Sequence, residues 1–214
     1  MNVSHELVRL ALKRLEMTRK NARFCARPRH LQQRTIDFVL ERDTLVAKGR
    51  TFVSIDETSF GRNHPCVKGY APRGQPLYLQ RRDHKAHIKT TSVVACVSRD
   101  NLIATSRRTG AYNTASFTAF LASMDLPAAT VVLLDNVAFH HSRSVRSLAE
   151  EKGWHLLFVP PYSPWFNPIE GCFSIVKRAY YKGCDIDGAL GTLTQSHCTA
   201  FFEKAFRLKG GPIG

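Results

Sequence analysis

Apolar positions follow a helical period in the first fifty residues and form shorter, strand-like runs after them. Residues 4–16 place their leucines at helical spacing, and Ser4 is a suitable N-cap for that helix. Residues 30–47 predict a second helix. The stretch between the two is basic, poor in apolar residues and broken by Pro28, so it predicts a linker.

The strand-like runs begin with TFVSIDE at residue 51. Two β-branched runs joined by the residues RDN predict a hairpin, and ATVVLLD predicts a strand in the middle of a sheet. A helical pattern lies on each side of ATVVLLD, the second capped by Ser142 and stopped by Gly153; WHLLFV and a helix from Pro168 follow. This order predicts an α/β fold, with a mixed five-stranded sheet flanked by helices on both faces.

Composition narrows the class of protein. Of the 214 residues, 43% are hydrophobic and 22% are charged, which is typical of a soluble globular protein and not of a disordered chain. No apolar run approaches the roughly 20 residues that a membrane-spanning helix needs, and the N-terminal sequence lacks a signal-peptide pattern. The six cysteines are scattered without a CxxC pair, so we expect reduced thiols in an intracellular protein.

Positive charge is concentrated in two segments of a chain whose formal net charge is +14. Residues 1–50 carry 12 Lys or Arg against 5 Asp or Glu, and residues 61–90 carry 7 against 1, so their net charges are +7 and +6. Concentrated positive charge attracts polyanions, and nucleic acid is the polyanion we expect. A basic, solvated surface without a partner is the alternative interpretation.

Three acidic residues fall where the predicted elements would bring them together. Asp56 is predicted to end the first strand, Asp135 to end the strand after the next helix, and Glu170 to lie in the first turn of the helix from Pro168. Strand ends at one edge of an open α/β sheet are common ligand sites. Converging carboxylates repel one another, and two Mg²⁺ ions between them would remove that repulsion and assist an in-line phosphoryl displacement.

Each acid also has an ordinary structural interpretation. Asp56 and Asp135 would each fit a turn that follows a strand. Glu170 would occupy the third position of a helix whose N-cap is Asn167 and whose first residue is Pro168, as in a capping box. Taken one at a time, these interpretations compete with a catalytic role for each acid.

The sequence around the three acids resembles one family. FVSIDETSF, VVLLDNVAFHHS and FVPPYSPWFNPIEGCFSIVKR are similar to the acid-bearing blocks of mariner-like DDE transposases of the Tc/mariner superfamily, and KGYAPRGQP is similar to their loop after the first acid. The 34 residues between the second and third acids (136–169) match the branch whose third acid is Glu. The resemblance implies a ribonuclease H-like fold and cut-and-paste transfer of double-stranded DNA ends into TA targets. It also implies that Asp56, Asp135 and Glu170 are catalytic and bind two Mg²⁺ or Mn²⁺ ions.

The same resemblance divides the chain into three parts. Residues 1–20 are expected to be the remnant of a helix-turn-helix DNA-binding unit, residues 21–50 a basic linker and helix, and residues 51–214 the catalytic domain. A single helix lacks the partner that holds a recognition helix in a groove, so specific recognition of transposon ends is not expected. Relatives act as dimers, which makes a homodimer the candidate assembly. The expected compartment is the nucleus of a eukaryote or the nucleoid of a bacterium, without secretion.

Basic residues beside these blocks are the candidate DNA contacts. His140 and His141 are predicted to be loop residues at the sheet edge, with His140 facing DNA and neither acting as a metal ligand. The full set of candidate DNA-binding residues is Arg27, Arg29, Lys68, Arg73, Arg81, Arg82, His140 and Lys177.

Two other function classes stay open on the sequence alone. One is an inactive or domesticated DNA-binding remnant of a transposase, which the short N-terminal part favours and the complete set of acids opposes. The other is a ribonuclease H-like nuclease acting on RNA–DNA hybrids or junctions, which explains the predicted fold but neither the proline-rich block nor the 34-residue interval.

Overall fold

The computed structural model describes residues 4–14, 31–61 and 90–207. Most of the predicted linker and the whole KGYAPRGQP loop lie outside these residues. Within the three described ranges, no helix combines the length and the apolar character needed to cross a membrane.

Two helices precede the sheet, as predicted. Helix α1 spans His5–Arg14, and Ser4 Oγ accepts the N–H of Leu7 at 3.3 Å, which confirms Ser4 as the N-cap. Helix α2 spans Leu31–Ala47, close to the predicted range 30–47.

Five strands form one mixed sheet: β1 (Phe52–Phe60), β2 (Thr91–Ser98), β3 (Leu102–Thr109), β4 (Val131–Leu134) and β5 (His155–Phe158). Their order across the sheet is β3-β2-β1-β4-β5. Strands β1, β2 and β3 pair antiparallel, whereas β4 pairs parallel with both β1 and β5. The predicted α/β fold with a mixed five-stranded sheet is confirmed.

Strand β1 runs farther than the sequence predicts. Asp56 was expected to end it, but β1 continues to Phe60 because β2 pairs with it down to Phe60 opposite Thr91. Its parallel pairing with β4 covers only 52–54, so the second half of β1 projects beyond the end of β4. Asp56 therefore lies within a strand, and its interpretation as a turn residue is wrong.

Helices cover both faces of this sheet: α3 (Thr114–Ala122), α4 (Arg143–Glu151), α5 (Pro168–Tyr181), α6 (Ile186–Leu190) and α7 (Gln195–Arg207). One apolar core joins α3 and α4 to the face that carries Val53 and Ile55. A second joins α2, α5 and α7 to the face that carries Phe52. Because successive side chains of a strand point to opposite faces, Ser54 and Asp56 share the face covered by α5. The sequence predicts α3, α4 and α5, whereas α6 and α7 had no predicted counterpart.

Helix α2 packs against the rest of the domain. The Arg42 side chain is buried, and its Nη1 donates to the carbonyl of Ala205 near the end of α7 at 3.1 Å. Its guanidinium lies 5.5–6.0 Å from the ring centroids of Phe38, Phe166 and Phe206, a distance at which a cation is attracted to aromatic faces. Residues 31–47 therefore belong to the same packed body as the sheet.

Gly171 permits a close approach between α5 and α7, one residue after Glu170. A Cβ at this position would lie 2.3–2.6 Å from three ring atoms of Phe201, including Cγ. Rotation of the ring about its own axis leaves Cγ in place, so the phenyl group as a whole would have to move. The short distance between α5 and α7 beside Glu170 therefore depends on the absence of a side chain at Gly171.

We predict that Gly171→Ala destabilises the protein. Overpacking costs about 1–3 kcal/mol, and the better helix propensity of alanine returns at most about 1 kcal/mol. Denaturant unfolding should therefore show a lower free energy of unfolding, whereas Ser174→Ala on the exposed side of α5 should change it by no more than about 0.5 kcal/mol. A Gly171→Ala variant as stable as the wild type would mean that the helices separate without cost.

Candidate active site

The parallel pairing of β1 with β4 sets two of the three predicted acids side by side. The register pairs Phe52 with Val131 and Ser54 with Leu133. Continued by two residues, the same register aligns Asp56 with Asp135, the first residue after β4. Adjacent strands lie about 4.8 Å apart, so the two aspartates lie side by side at the C-terminal end of β4.

The Asp56 carboxylate is almost buried and is held by two hydrogen bonds. Its Oδ1 accepts the backbone N–H of Glu57 at 2.7 Å, and its Oδ2 accepts Nδ2–H of Asn167 at 3.0 Å. Burial, followed by the negative charge of Asp135, raises the pKa of Asp56 to about 8, and the charges of Glu57 and Glu170 act in the same direction. Without a cation, this carboxyl is protonated over much of the physiological range.

Asp135 is held in the opposite charge state. Burial alone would raise its pKa, but His140 and the N–H of Val137, which donates to Oδ1 at 3.1 Å, outweigh burial and lower the pKa. The Asp135 side chain remains about one-third exposed. One aspartate of the pair is thus kept ionised while its neighbour favours the neutral form.

His140 is a buried partner of these acids. Its side chain has 0% exposure, with Nδ1 lying 2.7 Å from Asp135 Oδ1 and Nε2 lying 3.2 Å from Glu57 Oε1. Burial lowers the pKa of His140, but the two carboxylates outweigh burial and raise it to about 9. The prediction that His140 faces DNA is wrong, because the 3-10 turn Ala138–His141 directs the ring into the protein, 4.3 Å from the Phe117 ring.

Glu170 lies in the first turn of α5, as predicted, and is exposed. The capping-box interpretation is not realised, because the N–H of Asn167 donates to the carbonyl of Pro164 at 3.0 Å. Among the described residues, no group hydrogen-bonds to the Glu170 carboxylate, and the neighbouring Ile169 anchors the turn in the core. Glu170 therefore presents an exposed carboxylate at the same edge of the sheet as Asp135.

A cleft of about 480 Å³ lies between Asp135 and Glu170. Asp135 and Glu170 line it, together with Arg34 from α2 and the proline-rich turn 160–164. Tyr162 at the tip of that turn is 69% exposed and has a positive φ of 57°, which is uncommon for a residue other than glycine. Arg34 is exposed, so a positively charged side chain lies at the rim of an acidic cleft.

The carboxylates of the site suit a hard divalent cation. Carboxylate oxygens are the ligands that Mg²⁺ prefers, and the mutual repulsion that raises the pKa of Asp56 would be relieved by a cation. Within the described residues, however, no three His, Cys, Asp or Glu side chains gather tightly enough to surround one ion. Asp135 and Glu170 line one cleft, whereas Asp56 is buried next to Asp135.

Most predicted DNA contacts cannot be compared with this geometry. Lys177 is half-buried in α5, seven residues after Glu170 and therefore on the same side of the helix, so it stays a candidate. The six other candidates besides His140 lie outside the described residues: Arg27, Arg29, Lys68, Arg73, Arg81 and Arg82.

The sequence did not predict the roles of three polar residues of the site, Asn167, Ser54 and Glu57. Asn167 was interpreted only as an N-cap, but its side chain bonds to Asp56 and accepts from Ser54 Oγ. The alternation of β1 was the signal for Ser54, since it places Ser54 and Asp56 on one face. Glu57, on the opposite face, carried no signal for its contact with His140, because that contact depends on the 3-10 turn.

Comparison with known proteins agrees with this architecture. The family of DDE superfamily endonucleases matches residues 51–187. The Mos1 transposase paired-end complex with left transposon end has 19% identity and a TM-score of 0.71 over 95% of this chain and 68% of that chain. The mariner Mos1 paired end complex with Mg has 20% identity and a TM-score of 0.73 over the same shares. The catalytic domain of Mos1 mariner transposase has 16% identity and a TM-score of 0.62 over 86% of this chain and 92% of that chain.

At these identities the structural likeness shows a shared ribonuclease H-like fold, so that expectation is confirmed. No match was found among curated proteins. The family match spans about two-thirds of the chain and contains all three acids.

We predict that the raised pKa of Asp56 makes the metal-free protein less stable at high pH. The folded state binds a proton more tightly than the unfolded state, whose value is 3.8, so stability falls as pH rises from about 4 to about 8. Asp56→Asn removes this pH-dependent contribution, so in EDTA the free energy of unfolding of the wild type should fall relative to that of Asp56→Asn as pH rises across that window. Denaturant unfolding at pH 5 and pH 8 measures the difference between the two proteins, and equal differences would contradict the raised pKa.

Proposed function

This chain belongs to the DDE superfamily endonucleases, and we propose that it cleaves DNA and transfers the cut strand at Asp56, Asp135 and Glu170. The observation that supports this site most directly is the parallel pairing of β1 with β4, which aligns Asp56 with Asp135. Helix α5 supplies Glu170 to the same cleft that Asp135 lines.

Two divalent ions, Mg²⁺ or Mn²⁺, are the cofactor we propose. Asp56 and Asp135 would hold one ion, and Asp56 with Glu170 would hold the other, an arrangement that needs no group of three acids around a single ion. Ions bound there would activate a water or a 3′-hydroxyl and stabilise the leaving oxygen of an in-line displacement. Mos1 paired-end complexes with Mg and with Mn support the use of divalent metal.

The residues around the acids prepare them for this role. Asp135 is ionised before any cation arrives, because His140 carries a positive charge beside it. Asp56 favours the neutral form until a cation offsets the repulsion of its neighbours, so metal binding there releases a proton. Glu170 is exposed and remains accessible from the cleft.

Double-stranded DNA is the substrate we propose. The net charge of +14 favours a polyanion, Arg34 lines the cleft, and Lys177 lies two turns along α5 from Glu170. Mos1 is solved as a paired-end complex with a transposon end and as a strand transfer complex, and by analogy this chain would act on paired DNA ends. Action as a homodimer and joining at TA are proposed from the resemblance of the acid-bearing blocks to mariner-like transposases. A ribonuclease H-like nuclease and an inactive remnant are the competing functions.

We predict that wild-type protein with Mn²⁺ nicks duplex DNA and joins pre-cut ends into a target at TA. Glu170→Gln should do neither, since it removes a metal-ligating charge while keeping the shape of the side chain. Its free energy of unfolding should stay within about 0.5 kcal/mol of the wild type, because the side chain is exposed. Gel assays of nicking and joining, paired with denaturant unfolding, test both statements.

Glu151→Gln, which removes an exposed glutamate at the end of α4, is the matched control and should keep full activity. Full activity of Glu170→Gln would refute the assignment of the third acid. Cleavage restricted to RNA–DNA hybrids would favour the nuclease, and a folded wild type that binds DNA without cutting it would favour the remnant.

A further inference from the structure

Asn167 occupies the N-cap position of α5, but its side chain does not cap the helix. An asparagine at that position usually accepts an N–H of the first turn, and this bond contributes about 1 kcal/mol. Asn113, the N-cap of α3, does so, since its Oδ1 accepts the N–H of Ser116 at 2.9 Å. Asn167 instead turns into the sheet, so something other than helix stability accounts for its orientation.

The Asn167 amide links two buried side chains of β1. Its Nδ2–H donates to Asp56 Oδ2 at 3.0 Å, and its Oδ1 accepts the hydroxyl of Ser54. Asn167 is only 4% exposed and Ser54 is 0% exposed, so neither bond is exchanged readily for a bond to water. Ser54, Asn167 and Asp56 are thus linked by two successive hydrogen bonds, each donated toward Asp56 or its partner Asn167.

These two hydrogen bonds have one favourable direction. An ionised Asp56, the form that binds metal, can only accept hydrogen bonds, so it faces the Nδ2–H end of the amide and leaves Oδ1 to accept the Ser54 hydroxyl. The reversed amide would place its oxygen against the ionised carboxylate and leave two acceptors in contact. Asp56 and Ser54 together therefore orient Asn167, and Asn167 in turn holds Asp56.

The result is a carboxylate fixed at both oxygens. Oδ1 is held by the N–H of Glu57 and Oδ2 by Asn167, and each oxygen retains a second lone pair. Asn167 also lies three residues before Glu170, so the same bond ties the first turn of α5 to the strand that bears Asp56. A single side chain thus relates the positions of the first and third acids.

We propose that Asn167, oriented by Ser54, is a positioning residue that holds Asp56 and the start of α5 in the geometry that binds divalent metal. This inference rests on the proposed function, in which Asp56 and Glu170 are metal ligands. Groups that orient metal ligands in this way change metal affinity by about 10–100-fold when they are removed.

The test measures Mn²⁺ affinity without DNA, from the rise in melting temperature across a Mn²⁺ titration. Asn167→Ser keeps a residue able to cap α5 but is too short to reach Asp56, so it should bind Mn²⁺ about 10–100-fold more weakly than the wild type. Ser54→Ala removes one hydroxyl and should weaken Mn²⁺ binding by a smaller factor. Asn113→Ala is the matched control, which should lose stability as a true N-cap does and keep wild-type Mn²⁺ affinity.

A second readout separates positioning from catalysis. Raising Mn²⁺ to saturation should restore DNA nicking in Asn167→Ser, whereas it should not restore nicking in Glu170→Gln, which lacks a ligand. Wild-type Mn²⁺ affinity in a folded Asn167→Ser would overturn the proposal and leave the proposed function standing. Should Asn167→Ser fail to fold, wild-type Mn²⁺ affinity in Ser54→Ala would overturn it equally.

The proposed function fails in a different way. In that case the wild type would show no Mn²⁺-dependent rise in melting temperature, or the rise would be unchanged in Asp135→Asn. Either result would remove the metal site itself and the positioning proposal with it.

Discussion

The parallel pairing of β1 with β4 is the constraint on which the rest of the site depends. That pairing stops after Ser54 and Leu133, and the next residues in register on the two strands are apolar and then acidic. The antiparallel partner β2 continues along β1 to Phe60 and keeps the backbone of the projecting half hydrogen-bonded. The backbone of Asp56 is therefore held within β1 as firmly as that of a core residue, while its carboxylate lies beside the end of β4.

Two buried polar groups then treat the aspartates differently. His140 reaches Asp135 from the α3 side of the sheet and keeps it ionised, with Glu57 sharing the same imidazole. Asn167 reaches Asp56 from the α5 side and fixes its orientation without supplying a charge. Asp56 favours the neutral form because it is buried beside the charge of Asp135, whereas Asp135 stays ionised because the positive charge of His140 lies next to it.

The sequence predicts the fold well because its signals are local. The hairpin turn, the caps of α1 and α4, and the start of α5 at Pro168 were all recognisable from neighbouring residues. The acids were found through their spacing and the similarity of the surrounding blocks. The roles of His140 and Asn167 were not, because both depend on contacts between residues far apart in the chain. His140 bonds to Glu57 across 83 residues and Asn167 bonds to Asp56 across 111, and a local pattern reads them as a loop residue and a cap.

The central claim is that Asp56, Asp135 and Glu170 form one metal centre. Anomalous diffraction from crystals of the protein grown with a pre-cut DNA end and Mn²⁺ would test it most directly. We expect two manganese peaks about 3.5–4 Å apart, one between Asp56 and Asp135 and the other between Asp56 and Glu170. Manganese bound elsewhere with these three carboxylates free, or a centre that leaves Glu170 without an ion, would contradict the account.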